Sequence, residues 1–345
     1  MRPVELLKLK QTASRHEYKS SLGLSMADPE NGRRLIFVCG APRSGTTPVQ
    51  NMLDSHPDIC GGPEFLHLPD ILRLRNTLHK SIEREWIDLI CSHEDVDTAI
   101  SSLVESLLLP LATKNGCRFY SEKSPQNIPV ISGLIQLFPR ARFIHVVRDP
   151  RAIIASMLQV GKRARAKNIK LQNFTRSLYA AIEHVTKCFD AGFSAANTNA
   201  ERVLTVCYEN LVGEPESETK RICAFLHLDW SAQMLQPGNF THLGEKAITV
   251  KSDKLWYDRK TYQSNPHTGS ILKWKTTLTP TQQAAILSAF KDHQELSKLG
   301  YHLSLNGLPV TRRIIYVSLG QLSRLSYKAS RHTFSLVRRT LGKIS

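Results

Sequence analysis

The apolar run Leu35-Ile36-Phe37-Val38-Cys39 empties into Gly40-Ala41-Pro42-Arg43-Ser44-Gly45-Thr46-Thr47, and a helix-compatible segment over 46–55 follows at once. This junction constrains the fold more than any other stretch of the chain. Five consecutive residues of buried type suit a strand covered on both faces, as strands of a parallel sheet are. The turn has a glycine at each end of its core, Thr hydroxyls, and successive backbone N–H groups at a helix start. Such amides converge on an anion, and the positive end of the helix reinforces them.

The spacing is that of a Walker A loop, with Thr46 where the lysine belongs. A nucleotide-hydrolysing loop needs that lysine on the β- and γ-phosphates, so its absence argues against hydrolysis. Arg43 offers a cation earlier in the turn instead. Further strands are expected at 143–147 and 203–207, with a short one at 118–120. Helix-length segments lie between them at 96–113, 125–137, 150–160, 171–195 and 215–226. Another helix, from Pro280 to about Leu296, would be capped by Thr279. Strands alternating with helices predict an α/β chain: a P-loop-like three-layer fold with a central parallel sheet and helices on both faces. The expected division is a lead-in over 1–33, the α/β domain over 34–305 and a tail over 306–345.

Charge separates that tail from the rest. The 345 residues carry a formal net charge of +16, and residues 306–345 hold eight Lys/Arg and no acid. Half the net charge therefore sits in the tail. Its leucines and isoleucines alternate with the basic residues, a pattern suited to an anionic membrane surface. It has few aromatics to stack on bases, which disfavours nucleic acid. Seven scattered cysteines, none in a C-x-x-C pair, argue against a disulfide framework and for a reducing, cytoplasmic compartment. The first 33 residues lack a contiguous apolar stretch, so no secretory leader is expected, and no uninterrupted apolar run reaches membrane-spanning length. No metal-ligand cluster is apparent, and no metal is expected.

After a second strand comes Val147-Arg148-Asp149-Pro150, in which Asp149 can cap the next helix and Arg148 stands at the sheet's carboxyl edge. With these residues assembled, the chain resembles the PAPS-dependent sulfotransferases, which use 3′-phosphoadenylyl sulfate. The resemblance is closest to the tyrosylprotein branch and its bacterial relatives. It rests on Pro42–Thr47, Arg148 with Ser156, Leu53–Asp58 with Glu64, Glu122-Lys123-Ser124-Pro125, Tyr208-Glu209-Asn210-Leu211 and Gly269–Trp274, in order over roughly residues 34–303.

The resemblance implies that Arg43, Ser44, Gly45, Thr46 and Thr47 hold the 5′-phosphosulfate, and that Arg148 and Ser156 hold the 3′-phosphate. Tyr208 and Lys273 would face the cofactor cleft. It further implies that Glu64 is the general base and that Lys123, with Arg43, stabilises charge at the transferring group. His56 and His67 are the runner-up bases, with His56 better suited to shaping its turn before Pro57. One position departs from the pattern: a further cation is expected about twelve residues after Arg148, where Val160 stands, with Lys162 and Arg163 close by.

The implied reaction moves a sulfuryl group to a hydroxyl on a glycan, lipid, peptide or small molecule. Two alternatives stay open from the residues alone: a P-loop-type nucleotide or small-molecule kinase, and a catalytically silent adaptor using the basic tail.

Overall fold

A computed structural model describes residues 31–246, 256, 264–265 and 267–303. Residues 1–30 of the expected lead-in and the whole basic tail over 306–345 lie outside the described residues.

Five strands, β1 (Leu35–Gly40), β2 (Ile59–Gly61), β3 (Phe119–Lys123), β4 (Arg142–Val147) and β5 (Val203–Cys207), form one sheet in the order β2-β3-β1-β4-β5, and every pairing is parallel. The helices are α1 (Thr46–Leu53), α2 (Leu68–Glu83), α3 (His93–Lys114), α4 (Ile131–Leu137), α5 (Pro150–Ala166), α6 (Leu178–Thr198), α7 (Tyr208–Gly213), α8 (Pro215–Leu226), α9 (Leu243–Lys246), α10 (Trp274–Thr277), α11 (Pro280–Phe290) and α12 (Gln294–Lys298).

The sheet has helices on both faces, and β1 shows why. Successive side chains of a strand point to opposite faces. Leu35, Phe37 and Cys39 join a core built with α2, α3, α4, α6 and α11, whereas Ile36 and Val38 join a second core with Val49, Met52 and Leu53 of α1 and Ile222 and Leu226 of α8. Phe37 stacks on Phe143 of β4 with ring centroids 5.1 Å apart. Truncating so enclosed an aromatic costs about 3–5 kcal/mol.

The expected elements are present, with local differences. β3 runs on to Lys123, which brings Glu122 opposite Phe37 and Lys123 opposite Val38 of β1. Prolines 125 and 129 turn the first half of the 125–137 segment into a 3₁₀ helix, Pro125–Val130, before α4. The 171–195 segment starts as a single 3₁₀ turn, Asn173–Thr175, and α6 begins only where the Ser177 side chain accepts the Ala180 N–H. Thr279 caps α11 as expected, in a reciprocal pair with Gln282, but the helix stops at Phe290 and resumes as α12. Neither β2 nor α2 was foreseen.

Among the described helices, α3 alone is long and apolar enough to cross a membrane by length and composition. Its Val96, Ile100, Val104, Leu108 and Ala112, one per turn, are buried in the protein core.

Candidate active site

The chain leaving β1 leads towards the β2 edge, and the chain leaving β4 leads towards the β5 edge. These adjacent strands thus diverge at their carboxyl ends, which opens a crevice of the kind that binds ligands in open α/β sheets. A cleft of about 730 Å³ lies there, lined among others by Arg43, Gly45, Thr46, Thr47, Glu64 and Arg148.

The turn after β1 is closed by Ser44 N–H donating to the Ala41 carbonyl at 2.9 Å. Arg43 and Gly45 both adopt left-handed backbone, with φ of 76° and 105°. No side chain among the described residues caps α1, so its first amides stay directed at the crevice. The Ser44 hydroxyl is fully buried and has no hydrogen-bond partner among the described residues. A buried orphan hydroxyl beside uncapped amides fits an anionic group.

Arg148 lies over the Tyr208 ring, 4.3 Å from its centroid, and donates to the Ser270 carbonyl at 2.9 Å, while its Nε is buried and lacks a partner among the described residues. The Tyr208 hydroxyl is 2.8 Å from Ser270 Oγ. A smaller recess of about 430 Å³ opens beside it, lined by Arg43, Arg148, Ser156, Gln159, Arg163 and Lys273 among others. Val160 is 2% exposed and packs with Ala164, so it faces the protein. Arg163, one turn further along α5, lines the recess on the helix face of Ser156 and Gln159. The position where the resemblance expected a cation is apolar, and the next turn supplies the charge.

Arg43 Nε donates to Ser156 Oγ at 3.0 Å, and its Nη1 donates to the Trp256 carbonyl at 2.6 Å. Its guanidinium is thus engaged on the recess side of the cleft. On the other side, Lys123 Nζ donates to Glu64 Oε1 at 2.5 Å, with Lys123 3% exposed. Glu64 is delivered by the loop after β2 and Lys123 by the end of β3. Neither runner-up base is among the residues that line the cleft. His56 is buried, with Nδ1 accepting from Asp58 N–H and Nε2 donating to the Asp229 carbonyl. His67 is exposed at the start of α2 and does not line the cleft.

Several contributors carry no local signal in the sequence. Phe174, Trp256, Gln126 and His267 reach the cleft from distant segments. Buried Asp54, at the end of α1, pairs at 2.5 Å with His242, whose other ring nitrogen donates to the Pro237 carbonyl at the cleft wall. Glu122, beside Lys123, is fully buried, and that burial pushes its carboxyl up to about 7. No group of three or more metal-ligating side chains occurs among the described residues.

The profile of the Sulfotransferase family matches residues 35–232. Protein-tyrosine sulfotransferase 1 of Danio rerio is 30% identical over 282 residues, covering 77% of this chain and 72% of that protein. Its counterpart from Mus musculus is 31% identical over 276 residues, covering 77% and 69%. Among solved structures, the sulfotransferase domain from the curacin biosynthetic pathway superposes with a TM-score of 0.50 at 20% identity, over 78% of this chain and 98% of that one. That likeness concerns the fold.

Proposed function

The chain belongs to the sulfotransferase family, and from that premise we propose that it takes its sulfuryl group from PAPS and delivers it to a tyrosine hydroxyl of a peptide or protein. The observation that carries this reading is the Glu64–Lys123 pair, 2.5 Å apart, beside an anion cradle whose Ser44 hydroxyl is buried with no partner among the described residues.

Bound PAPS would supply the activated sulfuryl group; the remaining work falls to the chain's own side chains. Ser44, Gly45, Thr46 and Thr47 present hydroxyls and amides to the 5′-phosphate. Arg148, Ser156 and Arg163 receive the 3′-phosphate, and Lys273 lies at the rim of the same recess. Glu64 accepts the proton of the acceptor hydroxyl, a task for a positioned carboxylate. Lys123 opposes the negative charge that grows at the leaving oxygen, while the Arg43 guanidinium, held by Ser156 Oγ and the Trp256 carbonyl, serves the 3′-phosphate side of the cleft. Lys123 also holds Glu64 ready, so both groups sit in place before the acceptor arrives.

The tyrosine assignment rests on the names of the relatives and on the lining of the cleft. Leu66, Pro125, Phe174 and Trp256 present apolar and aromatic surface suited to a phenol ring. A reducing, cytoplasmic location is likewise a proposal, resting on seven free cysteines. Thermal shift with 3′,5′-ADP and with ATP tests the cofactor assignment. Strong stabilisation by 3′,5′-ADP alone is expected, and a preference for ATP would favour a kinase.

A further inference from the structure

Glu122 has no assigned part in the chemistry above, yet it is the most enclosed carboxylate near the cleft. It stands on β3 directly before Lys123, with its side chain fully buried. Its Oε1 accepts from the Phe65 N–H at 3.1 Å and from the Ser124 hydroxyl at 2.5 Å, and its Oε2 accepts from Asn127 Nδ2 at 2.5 Å. The Phe65 N–H belongs to the peptide joining Glu64 to Phe65. One carboxylate therefore ties together the strand that delivers Lys123, the loop that delivers Glu64 and the 3₁₀ segment that lines the cleft with Pro125 and Gln126.

We propose that Glu122 is a positioning residue that fixes Glu64 against Lys123 by holding the backbone of the Glu64 loop. The inference deepens the sulfuryl-transfer reading, since it is that reading which makes Glu64 the base. A buried carboxylate is retained where its acceptors are all used, and here three donors converge on it. The position also asks for more than polarity. A loop held only by its ends would let Glu64 drift by an ångström, and misplacement on that scale costs about 10²-fold in rate.

The clamp survives a change of protonation. Phe65 N–H can only donate, but the Ser124 hydroxyl can reverse and accept, or the Asn127 amide can turn its oxygen to the proton, so a protonated Glu122 keeps the loop tied. The charged groups around Glu122 are Glu64 on the loop, which raises its proton affinity, and Lys123 on its own strand, which lowers it. Cys39 on β1 and Tyr120 on β3 face it as neutral groups whose own ionisation its charge opposes.

The test compares Glu122→Ala, Glu122→Gln and the parent chain by amide hydrogen exchange, 3′,5′-ADP affinity and turnover against pH. In Glu122→Ala, exchange should accelerate over residues 62–67, turnover should fall by about 10²-fold, and 3′,5′-ADP affinity should stay within about twofold, as expected when no ligand contact is lost. Glu122→Gln keeps an acceptor for Phe65 N–H, and Asn127 can turn its amide to meet the new NH₂. It should recover most of the loss and keep exchange over 62–67 close to the parent's, with the rate profile unchanged near pH 7. Unchanged exchange over 62–67 in both variants would overturn the proposal. So would equal damage by Gln and Ala, or loss of 3′,5′-ADP binding. Should Glu122→Ala fail to fold, Glu122→Asp, whose shorter side chain withdraws the acceptor from the Phe65 N–H, takes its place in the same comparison, with faster exchange over 62–67 expected and unchanged exchange overturning the proposal. A parent chain that transfers no sulfate, with exchange over 62–67 still dependent on Glu122, would refute the function and leave the clamp standing.

Discussion

Gly45 and Tyr208 pack so closely that any Cβ on Gly45 would overlap the Tyr208 ring. This contact joins the turn after β1 to the helix after β5, across the crevice that separates the two halves of the sheet. It also sets the ring on which Arg148 rests. Gly45 is therefore fixed twice, by its left-handed φ of 105° and by the absence of room. Gly45→Ala should lower stability by about 1–3 kcal/mol, the usual cost of a strained backbone position, and should also displace Tyr208 and Arg148. Calorimetry combined with 3′,5′-ADP binding checks this. A variant with unchanged melting and unchanged affinity would contradict the packing described.

The recess beside Arg148 leads to a discrimination test. Arg148→Ala and Arg163→Ala should each weaken 3′,5′-ADP far more than 5′-AMP, since only the former carries the 3′-phosphate. Losing a hydrogen bond to a charged group is worth about 1.5–3 kcal/mol, hence roughly 10- to 100-fold in affinity. Lys162→Ala, at an exposed position that does not line the recess, should leave both affinities alone. Calorimetric titration distinguishes the outcomes, and equal losses for the two nucleotides would move both arginines away from the 3′-phosphate.

Buried His145 on β4 should set part of the acid stability. Neither ring nitrogen has a hydrogen-bond partner among the described residues, the ring meets Phe193 edge-on, and burial pushes its pKa down to about 3. Between pH 6.5 and 3 the unfolded chain takes up a proton that the folded chain refuses, so stability falls as pH falls through that window. Glu122 slopes the other way: its carboxyl stays protonated up to about 7 when folded, and its contribution declines as pH rises from about 4.5. His145→Leu should flatten the acid slope and shift acid unfolding to lower pH. Denaturant midpoints measured from pH 3 to 7 would show it, and an unchanged slope would assign the acid sensitivity elsewhere.

Much of this was legible in the sequence where the signal is local. The strand at Leu35–Gly40, the turn after it and the Thr279 cap are all written in adjacent residues. β2 is three residues long and carries no periodicity of its own; its pairing comes entirely from β3. The buried stripe of α2 contains Arg75, which is acceptable only because Asp97 of α3 neutralises it at 2.6 Å. No pattern along one segment reveals that partner. The choice between positions 160 and 163 is not legible in the sequence, because it depends on which face of α5 meets the recess. Glu122 stands beside Lys123 in a short strand with no alternation of its own, and its meaning appears only once Phe65, Ser124 and Asn127 close around it.

The most direct test of the account is transfer of radiolabelled sulfate from PAPS to a tyrosine-containing peptide by the parent chain and by Glu64→Gln. The amide keeps the size and polarity of the side chain but cannot take up the acceptor's proton. The rate should fall by roughly 10²–10⁴-fold, with 3′,5′-ADP binding retained. Full transfer by Glu64→Gln, or no transfer by the parent chain to the tyrosine hydroxyl, would contradict it.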